Sequence, residues 1–140
     1  LRKAARLLQA EAKARFRAAV AEVGKSGITD TTGFTEQRII VRKARYRHKG
    51  ERQVVTVRYG QPHPGGNRFR GRAIFANDIA FIMEAGTSQQ PATPWLRPAF
   101  AAKAPEAIAL VERELPREIE RIANKLGRGA RRSVMHPYGK

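Results

Sequence analysis

The chain has 140 residues, no cysteine, 41% apolar residues, and 28 Lys/Arg against 12 Asp/Glu, a formal net charge of +16. That length suits one domain burying about two-thirds of its unfolded surface, and the lack of cysteine excludes disulfides and thiolate metal sites. No apolar run approaches the roughly 20 residues of a membrane-spanning helix.

Leu1-Arg2-Lys3 is not followed by the apolar stretch of a signal peptide, so a soluble intracellular product is expected. The charge is uneven. Residues 1–72 hold 18 Lys/Arg against five Asp/Glu, residues 73–126 six against seven, and residues 127–140 four against none. A field of this kind favours anionic partners, whether nucleic acid or the acidic face of a protein, and opposes self-association unless a neighbour compensates it.

Residues 1–23 read as a helix. Leu1, Ala5, Leu8, Ala12, Phe16, Ala19 and Val23 recur at steps of three or four along one stripe, and Gly24 supplies a stop. Residues 24–37, with Gly24, Gly27, Asp30 and Gly33, read as a turn-rich loop. Two β-type runs follow, Ile39-Ile40-Val41 and residues 53–59, and together they predict an antiparallel hairpin. Val55, Val57 and Tyr59 are expected on one face of it, Val54, Thr56 and Arg58 on the other.

Residues 60–72, rich in Pro, Gly and Arg, read as a mobile basic loop, and residues 73–76 as a third strand. Residues 78–84 fit a short capped helix or a strand equally well. A C-terminal helix is expected from Pro105 in its first turn to Gly127 as its stop. Its apolar stripe is Ile108, Val111, Leu115, Ile119, Ile122 and Leu126, with Pro116 kinking it or breaking it in two. Arg113, Arg117, Arg121 and Lys125 run beside the stripe as a solvated mixed-charge face. The organisation expected is thus one α+β domain over residues 1–126 and a flexible basic tail over 127–140. It comprises an N-terminal helix, a small antiparallel sheet with a β-hairpin, and a C-terminal amphipathic helix packed on the sheet.

Little in the chain suggests reaction chemistry. His48, His63 and His136 fall in expected loops or the tail, none at a metal-ligand spacing, and each reads as a surface histidine. Gly65-Gly66 lacks the Lys-Ser/Thr ending of a phosphate loop. Glu84 is the one acid in an apolar setting, where pairing with an arginine outweighs a role as general base. No enzymatic activity and no cofactor are expected. Arg38, Arg42, Lys43, Arg45, Arg47, Lys49 and Arg52 surround the hairpin with Tyr46 among them, a pattern able to track a phosphate backbone. The chain has no recognition-helix, RNP or zinc pattern beside it, so this rival reading reaches only nonspecific nucleic-acid binding.

The most informative stretch is residues 80–100. Ala80, Glu84, Gly86 and Thr87 are followed, after a short loop, by Pro94, Trp95, Leu96, Arg97, Pro98 and Ala99. This resembles the small head–tail connector or tail-completion proteins of long-tailed bacteriophages. Their pattern is Ala-x-x-x-Glu-x-Gly-Thr, then Pro-aromatic-Leu-Arg-Pro-Ala, then an amphipathic helix. The family also opens with a helix, a glycine turn and a β-hairpin, in the order read here over residues 1–59. The chain departs from the family in the residues after Gly33, in Ala85, where an aromatic is usual, and in Trp95, where phenylalanine is commoner.

The resemblance implies a structural virion protein of the neck, located at the head–tail junction and assembled in the bacterial host cytoplasm. It implies a homo-oligomeric ring, commonly six-fold, whose partners are head-completion, tail-terminator or tail-tube proteins and the DNA passing along the axis, with no membrane. Partner- or DNA-facing candidates are Arg42, Lys43, Arg45, Arg47, Arg68, Arg70, Arg72, Arg128, Arg131 and Arg132. Glu84 is expected to bind Arg97 and so fix the 86–94 loop. Trp95 is expected to anchor either the subunit core or a ring interface, the core being favoured.

Overall fold

A computed structural model describes residues 1–44, 52–60, 62–64, 68–69 and 71–135. The sequence readings at Arg45, Tyr46, Arg47, His48, Lys49, Arg70 and His136 lie outside these residues. Helix α1 (Arg2–Val23) buries Ala5, Ala12, Phe16, Ala19 and Val23, the spacing read from the sequence, whereas Leu1 is left exposed. Gly24, at φ 55°, ends the helix and donates its N–H to Val20 O at 3.0 Å. The single turn α2 (Phe34–Gln37) arises inside the expected loop, directly after Gly33 at φ 72°.

Strands β1 (Ile39–Lys43) and β2 (Gln53–Val57) form the expected antiparallel hairpin, with Ile39 opposite Val57 and Val41 opposite Val55. Val55 and Val57 pack toward the core while Val54 stays exposed, as alternation requires. Tyr59 remains exposed and instead stacks on Phe75 at 5.4 Å. The hairpin lies against α1, and Gln9 Nε2 ties the two by donating to Ile39 O at 2.7 Å.

Residues 73–76 do not add a third strand to the hairpin. Among the described residues, strands β3 (Arg68–Phe69) and β4 (Arg72–Ala73) pair only with each other, with Gly71 at φ 78° between them. Pro62 bridges Phe75, and the His63 N–H donates to Ile74 O at 2.6 Å, so residues 73–75 spend their backbone groups locally. Arg68–Phe69 thereby gives the expected basic loop a short ordered ribbon.

The segment that fitted helix and strand equally well is helix α3 (Ala76–Ala85). The Asp78 carboxylate accepts the Phe75 N–H at 2.9 Å, satisfying a helix N-terminal donor, and Ile79, Ala80, Ile82 and Met83 bury one face.

Helix α4 (Leu96–Met135) begins nine residues before the Pro105 start and runs past the Gly127 stop. Pro98 falls in its first turn, where N–H groups lack intrahelical partners in any case. Pro105 and Pro116 sit within the continuous helix, each removing one backbone bond. Gly127 is not among the glycines at positive φ, and without a left-handed residue there is no C-terminal turn. The expected flexible tail is therefore helical to Met135.

The core joins Phe16 of α1, Ile39 and Val57 of the hairpin, Ile79 and Met83 of α3, and Trp95 and Ala99 at the start of α4. The fold is α+β, with a long C-terminal helix packed on the hairpin and α1.

Candidate functional site

Residues 80–99 form a clasp between α3 and α4. The Glu84 carboxylate leaves the last turn of α3 and meets the first turn of α4. Its Oε2 accepts the N–H groups of Trp95 at 2.7 Å and Leu96 at 2.8 Å; its Oε1 accepts the Arg97 N–H at 3.1 Å and Arg97 Nε at 3.2 Å. One side chain thus caps the next helix, where unpaired N–H groups and the helix dipole both favour an anion. Burial pushes the Glu84 carboxyl up, but the bonds from Leu96, Trp95 and Arg97 outweigh it and hold the group below its usual value. The expected Arg97 contact is present but secondary, since that guanidinium is 80% exposed.

Trp95 is buried in the core, edge-on to Phe16 at 5.0 Å, and its Nε1 donates to Ala80 O at 3.1 Å. This is the core position favoured by the sequence. Ala80 and Ala99, both buried, leave room for the indole. Leu96 packs against the same cluster.

The intervening loop is closed on itself. Gly86 lies at φ 73° and ψ −178°, a region essentially reserved for glycine, and a Cβ there would come within 2.7 Å of Ala92 N. Thr87 N–H donates to Gln90 O, Thr87 Oγ1 accepts from Gln89 and Gln90, and Thr93 N–H returns to Met83 O. The Gln90 amide then pairs with the backbone of Ile28, accepting its N–H at 2.7 Å and donating to its carbonyl at 3.1 Å. Gly27 permits that approach, because a Cβ on it would lie 2.6 Å from Gln90 Oε1. The sequence reading missed this bond, which joins segments 62 residues apart and leaves no local trace.

The basic candidates are dispersed. Arg42 and Lys43 are exposed at the end of β1, and Arg128 is exposed on α4. Arg68 lies in β3, and Arg131 and Arg132 lie in the last turns of α4. Arg72, its side chain more than half exposed, makes a bidentate pair with Asp78 at 3.0 and 3.1 Å, in front of α3. Burial raises the Asp78 carboxyl, but the Arg72 bond and the Phe75 N–H bring it below its usual range.

His63 overturns the surface-histidine expectation. It is buried, with Nε2 2.8 Å from Asp30 Oδ1 and 3.2 Å from Thr32 Oγ1, and it packs edge-on against Phe34. Asp30 Oδ2 also accepts the Glu36 N–H, holding α2. A nucleophile–base relay needs the hydroxyl and the carboxylate on different ring nitrogens. Here both meet the same one, which suits a structural polar cluster.

An open cleft of about 1140 Å³ lies between residues 25–28, α3 and the 86–90 loop, with Phe81 exposed in it. Its lining includes Lys25, Thr87 and Gln89, and among the described residues its one carboxylate, Asp78, is already bound by Arg72. Among the described residues no three His, Asp or Glu side chains converge as metal ligands would, and no helix is long and apolar enough to cross a membrane. No protein-family model, curated protein or solved structure matches the chain.

Proposed function

We propose that this chain is a structural subunit of a bacteriophage neck, joining head-completion proteins to the tail as one member of a ring. The observation that carries the reading is the clasp. Ala80, Glu84, Gly86, Thr87, Trp95 and Arg97 are committed to positioning the start of α4 through backbone bonds and packing. A segment built this way serves to hold a long helix at a fixed angle to the body. Ring subunits need such rigid frames, because heterologous contacts close only when every copy presents the same angle. Exposed Arg42, Lys43 and Arg128 leave cationic surface for acidic neighbours, where charge sets partner choice and register.

The test is the mass of the purified chain, alone and mixed with the portal-side and tail-tube proteins of the same phage, followed by reconstruction of the particle neck. Rings that join those proteins, with the chain at the head–tail junction, are the expected result. A chain that ignores them and binds duplex DNA with affinity persisting above physiological salt would overturn the proposal in favour of a nucleic-acid role.

A further inference from the structure

The bonding pattern of the hairpin leaves one strand edge open. The Arg58 N–H donates to Arg38 O at 2.8 Å and the Ala44 N–H to Arg52 O at 2.9 Å, so these are hydrogen-bonded pairs of the ladder. In an antiparallel ladder such pairs alternate with pairs whose main-chain groups point away from the partner strand, here Ile39–Val57, Val41–Val55 and Lys43–Gln53. The outward groups of β1 lie toward α1, and Ile39 O accepts Gln9 Nε2 at 2.7 Å. On β2 the outward groups belong to Gln53, Val55 and Val57. Among the described residues no hydrogen bond reaches the outward N–H and C=O of Val55 or Val57, because β3 and β4 pair with each other and do not extend the sheet.

Proteins blunt such an edge with charge, proline or a bulge. β2, Gln53-Val54-Val55-Thr56-Val57, has no charged residue and no proline, and its register with β1 is unbroken. Val55 and Val57 are only partly buried against the core, so apolar side chains of an added strand would complete their cover. Charge selects the occupant. Residues 38–58 carry eight Lys/Arg against Glu51, and exposed Arg52 and Arg58 flank β2 at its two ends. A second copy would bring the same cations. Pairing β2 antiparallel with its copy about Val55, the register that engages all three outward residues, sets each Arg58 across from Arg52 of the copy. The chain's own carboxylates, Glu51 aside, lie in helices or, at Asp30, buried, so none is offered on an extended segment. Nucleic acid would meet the cations and leave the unpaired groups of Val55 and Val57 as they are.

We propose that the outer edge of β2 takes up an extended segment of another protein, in which apolar residues on the Val55–Val57 face alternate with Asp or Glu on the Thr56–Arg58 face. Main-chain bonds to Val55 and Val57 give the affinity, and carboxylates beside Arg52 and Arg58 give the selectivity. The site does not rest on the neck reading.

Residue-resolved amide exchange on the full chain tests it, with a short capped peptide alternating Val and Glu as the probe. In the free chain the amides of Val54 and Thr56, bonded to β1, should exchange slowly and those of Val55 and Val57 fast. Saturating peptide should slow Val55 and Val57 by about tenfold or more. Replacing the peptide's Glu by Lys, or its central Val by Pro, should abolish that protection. Arg58→Glu, at an exposed position, should weaken peptide binding about fivefold. Val55 and Val57 already protected in the free chain, a peptide that leaves them unprotected, or equal protection by the Lys or Pro peptide would overturn the proposal. So would protection of both amides by a single-stranded oligonucleotide where the acidic peptide gives none. Neck rings formed by a chain whose β2 edge ignores the peptide would remove this proposal and leave the neck reading intact. An edge that takes the peptide in a chain that ignores every neck protein would do the reverse.

Discussion

Glu84 accepts three backbone N–H bonds at 2.7–3.1 Å and one from an exposed guanidinium at 3.2 Å. These bonds are not of equal weight. Hydrogen bonds to a charged group contribute about 1.5–3 kcal/mol, whereas an exposed ion pair contributes under about 1 kcal/mol. Glu84→Gln should therefore lower unfolding stability by about 1–3 kcal/mol in urea titrations at pH 7, and Arg97→Ala by less than about 1 kcal/mol. Equal losses would mean the side-chain pair, not the cap, holds the clasp. The pH dependence follows from the depressed folded pKa. The Glu84 contribution is complete above its unfolded value of 4.5 and disappears as pH falls through the lower folded value, so the gap between the unaltered chain and Glu84→Gln should close on acidification. The sequence marked Glu84 because an acid stood alone in an apolar run. It pointed to an arginine because the neighbouring residues were taken for loop, and loop N–H groups do not converge as those of a helix start do.

At the scale of elements, two glycines separate conformational strain from steric exclusion. Gly33 and Gly86 both have positive φ, yet a Cβ on Gly33 meets nothing within 4 Å while one on Gly86 meets backbone atoms of Gln90 and Ala92 below 3 Å. Gly33→Ala should cost about 1–2 kcal/mol, the left-handed penalty alone. Gly86→Ala adds overpacking against backbone that cannot yield, and should cost at least about 3 kcal/mol by thermal denaturation. Comparable costs would show that the 86–93 loop can move aside. Trp95→Phe keeps most of the contact with Phe16 but loses the bond from Nε1 to Ala80 O, with an expected cost of about 1–2 kcal/mol in the same measurement. Helix α1 and the hairpin were readable because period 3.6 and period 2 were each written over enough residues to be unambiguous. The ends of α4 were not, since a proline fits the first turn of one helix and the interior of another, and a glycine stops a helix only if it turns left-handed.

For the whole molecule, order and protection should divide along α4. The first half of the helix is braced by α1 and the clasp, whereas residues 115–128 are exposed on every side. Brief trypsin treatment should cut after Arg117, Arg121 or Lys125 before it cuts within α1. Early cleavage inside residues 2–23 instead would place the weakest part of the molecule in its N-terminal helix. The uneven charge belongs to this scale as well. The near-neutral stretch from 73 to 126 contains both the clasp and the apolar stripe of α4, so the cationic excess lies before and after it.

The sequence by itself determined the helical first segment, the hairpin, the α+β class and the importance of residues 80–100. Each rests on periodicity or on a residue type out of place among its near neighbours. Only the tertiary structure decided that Glu84 caps a helix, that Gln90 binds Ile28, that His63 is buried on Asp30, and that the best apolar stripe in the chain faces solvent. These depend on groups brought together from tens of residues apart. An amphipathic pattern records that one face is apolar and leaves open whether its partner lies in the same chain.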